Sequence, residues 1–219
     1  MTAQNSPATA SDPWEMALIH RLIRRGFEQA SAHVLAVGAA TRAGAVAAYI
    51  GFHLDGLHAH HSSEDELIWP ALRERAQLST ALISRMEEQH AGVHDAIETT
   101  RRELSVWTAN PTTEASRSLA ADLATIVDRL AEHLAEEERE VVPLIAAHIS
   151  QAEWDHLGEV AFSKFTPQQR FTAMGELLEA ARPDEAARML AGLPAPVRVI
   201  WRLVGRRQYQ RFMNSVRGA

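Results

Sequence analysis

The sequence predicts an all-α protein, an up-down-up-down four-helix bundle with a helical C-terminal extension. Sustained period-2 alternation is absent, only 6% of residues are aromatic, and alanine, leucine, glutamate and arginine dominate, so strand formers are scarce. Four long segments carry apolar residues at helical spacing and are separated by short breaks marked by Gly, Asn or Pro.

The first helix is expected to start at Asp12-Pro13, where Asp can cap and Pro suits the first turn, and to reach about Gly38 with Leu18, Ile23, Phe27 and Val34 as apolar positions. The second is expected from about Thr41 to Arg75. The third spans roughly Ser79 to Thr108 before Asn110-Pro111, and the fourth runs from near Thr112 to about His148. Residues 12–149 thus form the bundle, preceded by a disordered stretch, 1–11. In the extension, 150–219, Ser150 with Glu153 reads as a capping box and Thr166-Pro167 as a second helix start. Arg182-Pro183 and the Pro194, Pro196 pair interrupt the chain again.

Composition restricts the chemistry. With no cysteine, disulfides and thiolate-bound metals are excluded, and any metal must be held by nitrogen and oxygen. The start MTAQNSPATASDP has no basic or apolar leader pattern, and no apolar run approaches the roughly 18 residues of a membrane span, so a cytoplasmic protein is expected. The net charge of -6 argues against DNA as a partner of the whole chain, yet the segment after Pro194 holds six arginines and no acid.

An internal repeat locates the candidate site. HHSSEDELIWPAL from His60 aligns with HLAEEEREVVPLI from His133: in both, a glutamate follows the histidine by four residues and a proline by ten. Four residues make about one helical turn, so His60 with Glu64, and His133 with Glu137, lie side by side. Both pairs fall on the apolar stripe, in line with Leu57 and Ile68 in one helix and Leu130 and Val141 in the other. A buried carboxylate without a partner costs on the order of several kcal/mol, so something positive must face it, and a metal ion would serve. The other two helices offer His20, in line with Ile23 and Phe27, and His90, in line with Met86 and Val93.

Antiparallel helices keep residues level when these are equidistant from the turn, which gives an independent check. The midpoints of His20/His60, His60 or Glu64 with His90, and His90/His133 fall at 40, 75–77 and 111–112, all at breaks inferred from other signals. Four histidines and two glutamates therefore meet at one level in a two-metal pattern with open positions, suited to iron, manganese or zinc.

The set His20, His60-x-x-x-Glu64, His90, His133-x-x-x-Glu137, with apolar residues and proline closing both paired motifs, resembles the hemerythrin/HHE cation-binding family across residues 12–148. The resemblance implies two iron ions with carboxylate and oxo or hydroxo bridges, binding or reacting with dioxygen, peroxide or nitric oxide. Oxygen carriers of the family have more histidine on the third helix, a role open to His94, and an aspartate where this chain has Glu138. His61 stands where some relatives have an acid. These differences favour a redox enzyme (catalase-, peroxidase- or oxidase-like) or a sensor over a carrier, with iron handling a further alternative.

Among additional candidates, His94 is a fifth histidine ligand or a core residue, His61 a ligand or near neighbour, and Glu138 and Asp65 orient ligands or face water. His53 lies roughly 10 Å along the helix from His60, where with Tyr49 it lines an access channel or simply packs. The last helix, from about Ala195, sets Arg198, Arg202, Arg206, Arg207 and Arg211 among Val199, Ile200, Leu203 and Val204. It is read as an amphipathic helix docked on the bundle, or as a surface for an electron donor or another anionic partner.

Overall fold

A computed structural model describes residues 10–36 and 38–218, so residues 1–9 of the expected disordered start lie outside the described residues. Ala10 and Ser11 are already docked: Ala10 bridges to Ser150, and the buried Ser11 hydroxyl donates to the Ile145 carbonyl.

Helix α1 covers Trp14–Leu35, α2 Ala43–Arg75, α3 Thr80–Ala109 and α4 Thr113–Glu136; α4 runs on through a π turn, Glu137–Val141, into α5, Val142–His148. The breaks fall where the midpoints require them. Asp12 does not cap α1; that position is Pro13, without a side-chain cap, and the Asp12 carboxylate instead accepts from Arg188. α1 also stops three residues short of Gly38, whose positive φ of 77° belongs to the turn into α2. The Thr112 hydroxyl caps α4 by accepting from the Ala115 N–H. α1 packs on α2 and α4, and α3 packs on the same two helices.

Two apolar layers grip the polar level between them. On one side lie Ile23, Phe27, Leu57, Val93, Ile97, Ile126 and Leu130. On the other lie Met16, Ile68, Trp69, Met86, Val141 and Ile145. Each helix contributes to both layers, so the chain between them must pass through the histidine level.

The extension consists of α6 (Gln151–Ser163), α7 (Pro167–Ala180), α8 (Pro183–Gly192) and α9 (Ala195–Ile200), which continues through a π turn, Trp201–Gly205, into α10, Arg206–Arg217. The capping boxes at Ser150/Glu153 and Thr166/Gln169 both form. α6 lies on α2, α7 on α1, and α10 on α2 and α7. The last helix docks by a face other than the expected one: Trp201, Tyr209, Met213 and Val216 are buried, while Val199, Ile200, Leu203 and Val204 stay exposed. With the buried Gly205 these residues recur every three or four positions, and they include Trp201 and Tyr209, which bury more area than valine or leucine can. Ion pairing contributes little to this docking: among the described residues of α9 and α10, only Arg217 forms an ion pair, with Glu179. No described helix is long and apolar enough to cross a membrane.

Gly175 is where α10 comes closest to α7, since a Cβ there would lie 2.3 Å from the Tyr209 ring. Gly175→Ala is expected to displace Tyr209 and destabilise the fold by about 1–3 kcal/mol. Limited proteolysis should then cut first between α7 and α10 while the bundle fragment persists.

Candidate metal centre

All six residues selected from the sequence converge. His20, Glu64, His133 and Glu137 are fully buried, His90 is nearly so, and His60 retains slight exposure. His61 joins them, its ring stacked on His90 with centroids 3.9 Å apart and an interplanar angle of 13°. The side chains sort into two groups able to hold a cation: His61, His90 and His133 in one, and His20, His60 and Glu137 in the other. Within each, one potential ligand atom per residue lies within 4.8 Å of the others.

Each glutamate reaches both groups. One Glu64 oxygen is 3.5 Å from His60 Nδ1 and the other 3.8 Å from His90 Nε2. Glu137 Oε2 is 3.3 Å from His20 Nε2 and 3.6 Å from His133 Nε2. A carboxylate has two oxygens and several lone pairs, so each glutamate can face both groups at once.

The outward nitrogens are fixed by neighbours. His20 Nδ1 is 2.9 Å from Glu138 Oε1, which also accepts from Arg24. His90 Nδ1 is 2.7 Å from Asp65 Oδ1, the atom that accepts from the Trp69 indole. His133 Nδ1 is 2.9 Å from Gln89 Oε1, while the Gln89 amide donates to Glu136. Each partner offers an acceptor, so each Nδ1 carries the hydrogen and each Nε2 turns an unprotonated lone pair inward.

Nothing in the protein meets those lone pairs. Nε2 of His20, His60, His61, His90 and His133, and both oxygens of Glu64 and Glu137, are buried without a hydrogen-bond partner. Buried polar atoms are nearly always paired, so this concentration at one point is the signature of a cation site.

At three of the imidazoles the electrostatics agree, and at His20 they run the other way. Burial pushes the His60 pKa down to about 3, that of His133 to about 4 and that of His61 well below the ordinary imidazole value, leaving the neutral form a metal ligand needs. Burial and then the neighbouring Glu137 charge raise Glu64. Burial opposes ionisation of Glu137, but the His20 contact and the surrounding imidazoles outweigh it and hold its carboxyl low. Burial likewise opposes protonation of His20, yet Glu137 and Glu138 lift its pKa above the usual value.

The chain matches the hemerythrin HHE cation binding domain over residues 14–145. It is a member of that family. No curated protein and no solved structure matches the chain. The family match ends at the bundle, and α6 to α10 lie beyond it.

In this HHE domain the remaining candidates separate clearly. Glu138 and Asp65 sit behind the His20 and His90 imidazoles rather than in the cluster. His94 is exposed and faces His58, ring centroids 5.6 Å apart, at the mouth of a cavity of about 290 Å³ that reaches His61 and His90. His53 and Tyr49 lie in the core, rings 4.5 Å apart, with the Tyr49 hydroxyl donating to Gln29. The sequence signal for His61 was its place beside His60: the two groups lie close enough together for adjacent residues on one helix to join different ones. The Gln89 contact left no motif, because it depends on how α3 meets α4.

Burial pushes the His53 pKa down to about 3, against about 6.5 when the chain is unfolded. Between these values only the unfolded chain binds the proton, so His53 costs stability as pH falls below 6.5 and has no effect above it. His53→Phe is therefore expected to lose about 1–2 kcal/mol less than wild type between pH 7 and 5 in denaturant titrations of metal-free protein.

Proposed function

We propose that His20, His60, His61, Glu64, His90, His133 and Glu137 hold two iron ions, and that the chain is a redox protein reacting with hydrogen peroxide or dioxygen in a catalase-, peroxidase- or oxidase-like manner. The observation that carries this reading is the convergence of five unpartnered imidazole Nε2 atoms on two unpartnered carboxylates. Nitrogen and oxygen donors without thiolate suit iron, manganese or zinc. When bound, iron would supply Lewis acidity and one-electron redox chemistry.

The protein side of the chemistry follows from the contacts. Asp65, Glu138 and Gln89 fix the imidazole tautomers, and Arg24 and Trp69 in turn fix Glu138 and Asp65. The apolar layers keep bulk water out along the bundle axis. A small oxidant would enter through the cavity lined by His58, Ser62 and His94. The two imidazoles at its mouth can pass protons between solvent and a molecule inside.

In this reading α1 to α4 run alternately up and down, which the helix neighbours and the short breaks support. The protein acts in the cytoplasm, and an electron donor or other anionic partner docks at the exposed Arg206, Arg207 and Arg211. A second reading, an oxygen- or nitric-oxide-binding module without turnover, is favoured by the contact of α6 with α2, which carries His60. Occupancy could there be reported through the extension.

Protein from iron-supplied cells should contain about two irons per chain, with ferric absorption that changes on reduction and on adding peroxide. His60→Ala and Glu137→Gln should lose iron and at least tenfold in peroxide consumption while remaining helical. Reversible colour without consumption would support the binding module; a colourless protein holding zinc or manganese would overturn the iron assignment. Asp65→Asn, which leaves all seven inward residues in place, should weaken metal binding by about 10- to 100-fold in chelator competition.

A further inference from the structure

Where α6 and α7 cross the groove between α1 and α2 they leave a second cavity of about 250 Å³, which shares no lining residue with the His58/His94 opening. Small residues at the facing positions keep it open: Gly56 and Ala59 on α2, Gly158 and Ala161 on α6, and Ala173 on α7. A Cβ added at Gly158 would touch nothing within 4 Å. The walls are apolar and partly aromatic, with the Phe52 and Phe165 rings 5.7 Å apart, and no charged residue lines them.

Two polar groups interrupt these walls, His60 and His53. His60 belongs to the metal centre, whereas His53 does not. The His53 side chain is about 2% exposed and its Nε2 has no hydrogen-bond partner. Glu176 Oε2, 3.9 Å away, is also unpartnered, although the other Glu176 oxygen accepts from the Tyr209 hydroxyl at 2.8 Å. A lining imidazole with an unmet nitrogen suits a ligand that brings one polar group into an otherwise apolar site.

Size and charge narrow the ligand. A dry apolar cavity of about 150 Å³ accepts benzene, so this larger one can hold one or two fused rings. A charged group would be buried without a counter-charge, whereas a neutral hydroxyl can donate to or accept from His53 in either tautomer. We propose that the cavity binds a small aromatic alcohol of phenol to naphthol size, its ring between α2 and the Phe162–Phe165 segment and its hydroxyl on His53 Nε2. Binding requires no metal; that a molecule held beside His60 is the organic substrate of the centre rests on the oxidant-reactive reading above.

Fluorescence titration of the full chain, iron-loaded and iron-depleted, with 2-naphthol, naphthalene and 2-naphthalenesulfonate tests the site. Saturable 2-naphthol binding is expected, with naphthalene about tenfold weaker for want of one hydrogen bond and the sulfonate excluded. Ala161→Trp and Gly158→Phe, which fill the cavity from a partly exposed helix, should each weaken 2-naphthol by more than tenfold without changing iron content. Ser105→Trp, on the distant surface of α3, should not. His53→Phe should retain naphthalene and lose the preference for the hydroxyl. Absence of saturable binding, equal affinity for the two neutral probes in wild type, or indifference to both filling substitutions would overturn the proposal. Naphthol binding to a protein that takes up no iron would leave this site standing while removing the redox reading.

Discussion

Seven side chains in the middle of the bundle turn imidazole nitrogens and carboxylate oxygens toward one another, and these inward atoms have no hydrogen-bond partner. Leaving such groups bare in a low-dielectric interior costs on the order of several kcal/mol for each carboxylate, far more than a pair of helix contacts returns. A cation at its centre would offset that cost. The neighbours act to the same end at three of the five imidazoles: an acceptor engages the outward nitrogen of His20, His90 and His133, which leaves the inward one free to offer a lone pair. A core evolved for packing alone would have placed donors opposite these acceptors.

The rest of the bundle holds this polar level in place. Every ligand-bearing helix anchors an apolar residue above and below its ligand, as Met86 and Val93 flank His90 and Leu130 and Val141 flank Glu137. The π turn at Glu137–Val141 is part of the same geometry. It begins at a glutamate aimed inward and ends just before Pro143, whereas the matching Pro70 lies in an unbroken α-helix, so proline alone does not account for it. Glu137 and Glu138 contact opposite nitrogens of the His20 ring.

The extension adds what the family match does not cover. Its apolar face, centred on Trp201, Tyr209 and Met213, completes the core beside α2. Its small residues leave space against α1 and α2 rather than filling it. The centre is thus approached from two sides of different character: one lined by the exposed His58 and His94 imidazoles, the other apolar and bounded in part by residues outside the HHE domain.

The amino-acid order by itself determined the all-α class, the helix breaks and six of the seven inward residues. Spacing of four along a helix and equal distance from a turn are local rules that survive folding unchanged, so His60 with Glu64 and His133 with Glu137 could be placed before any coordinates. The π turns, the choice between the alternatives open for His61 and Asp65, the Gln89 partner and the buried face of the last helix were decided only by tertiary structure. Each depends on the rotation and closeness of helices far apart in sequence. No periodicity records which of two adjacent histidines meets α3, or whether Leu203 or Tyr209 turns toward α7; packing volume and the reach of neighbouring side chains settle both.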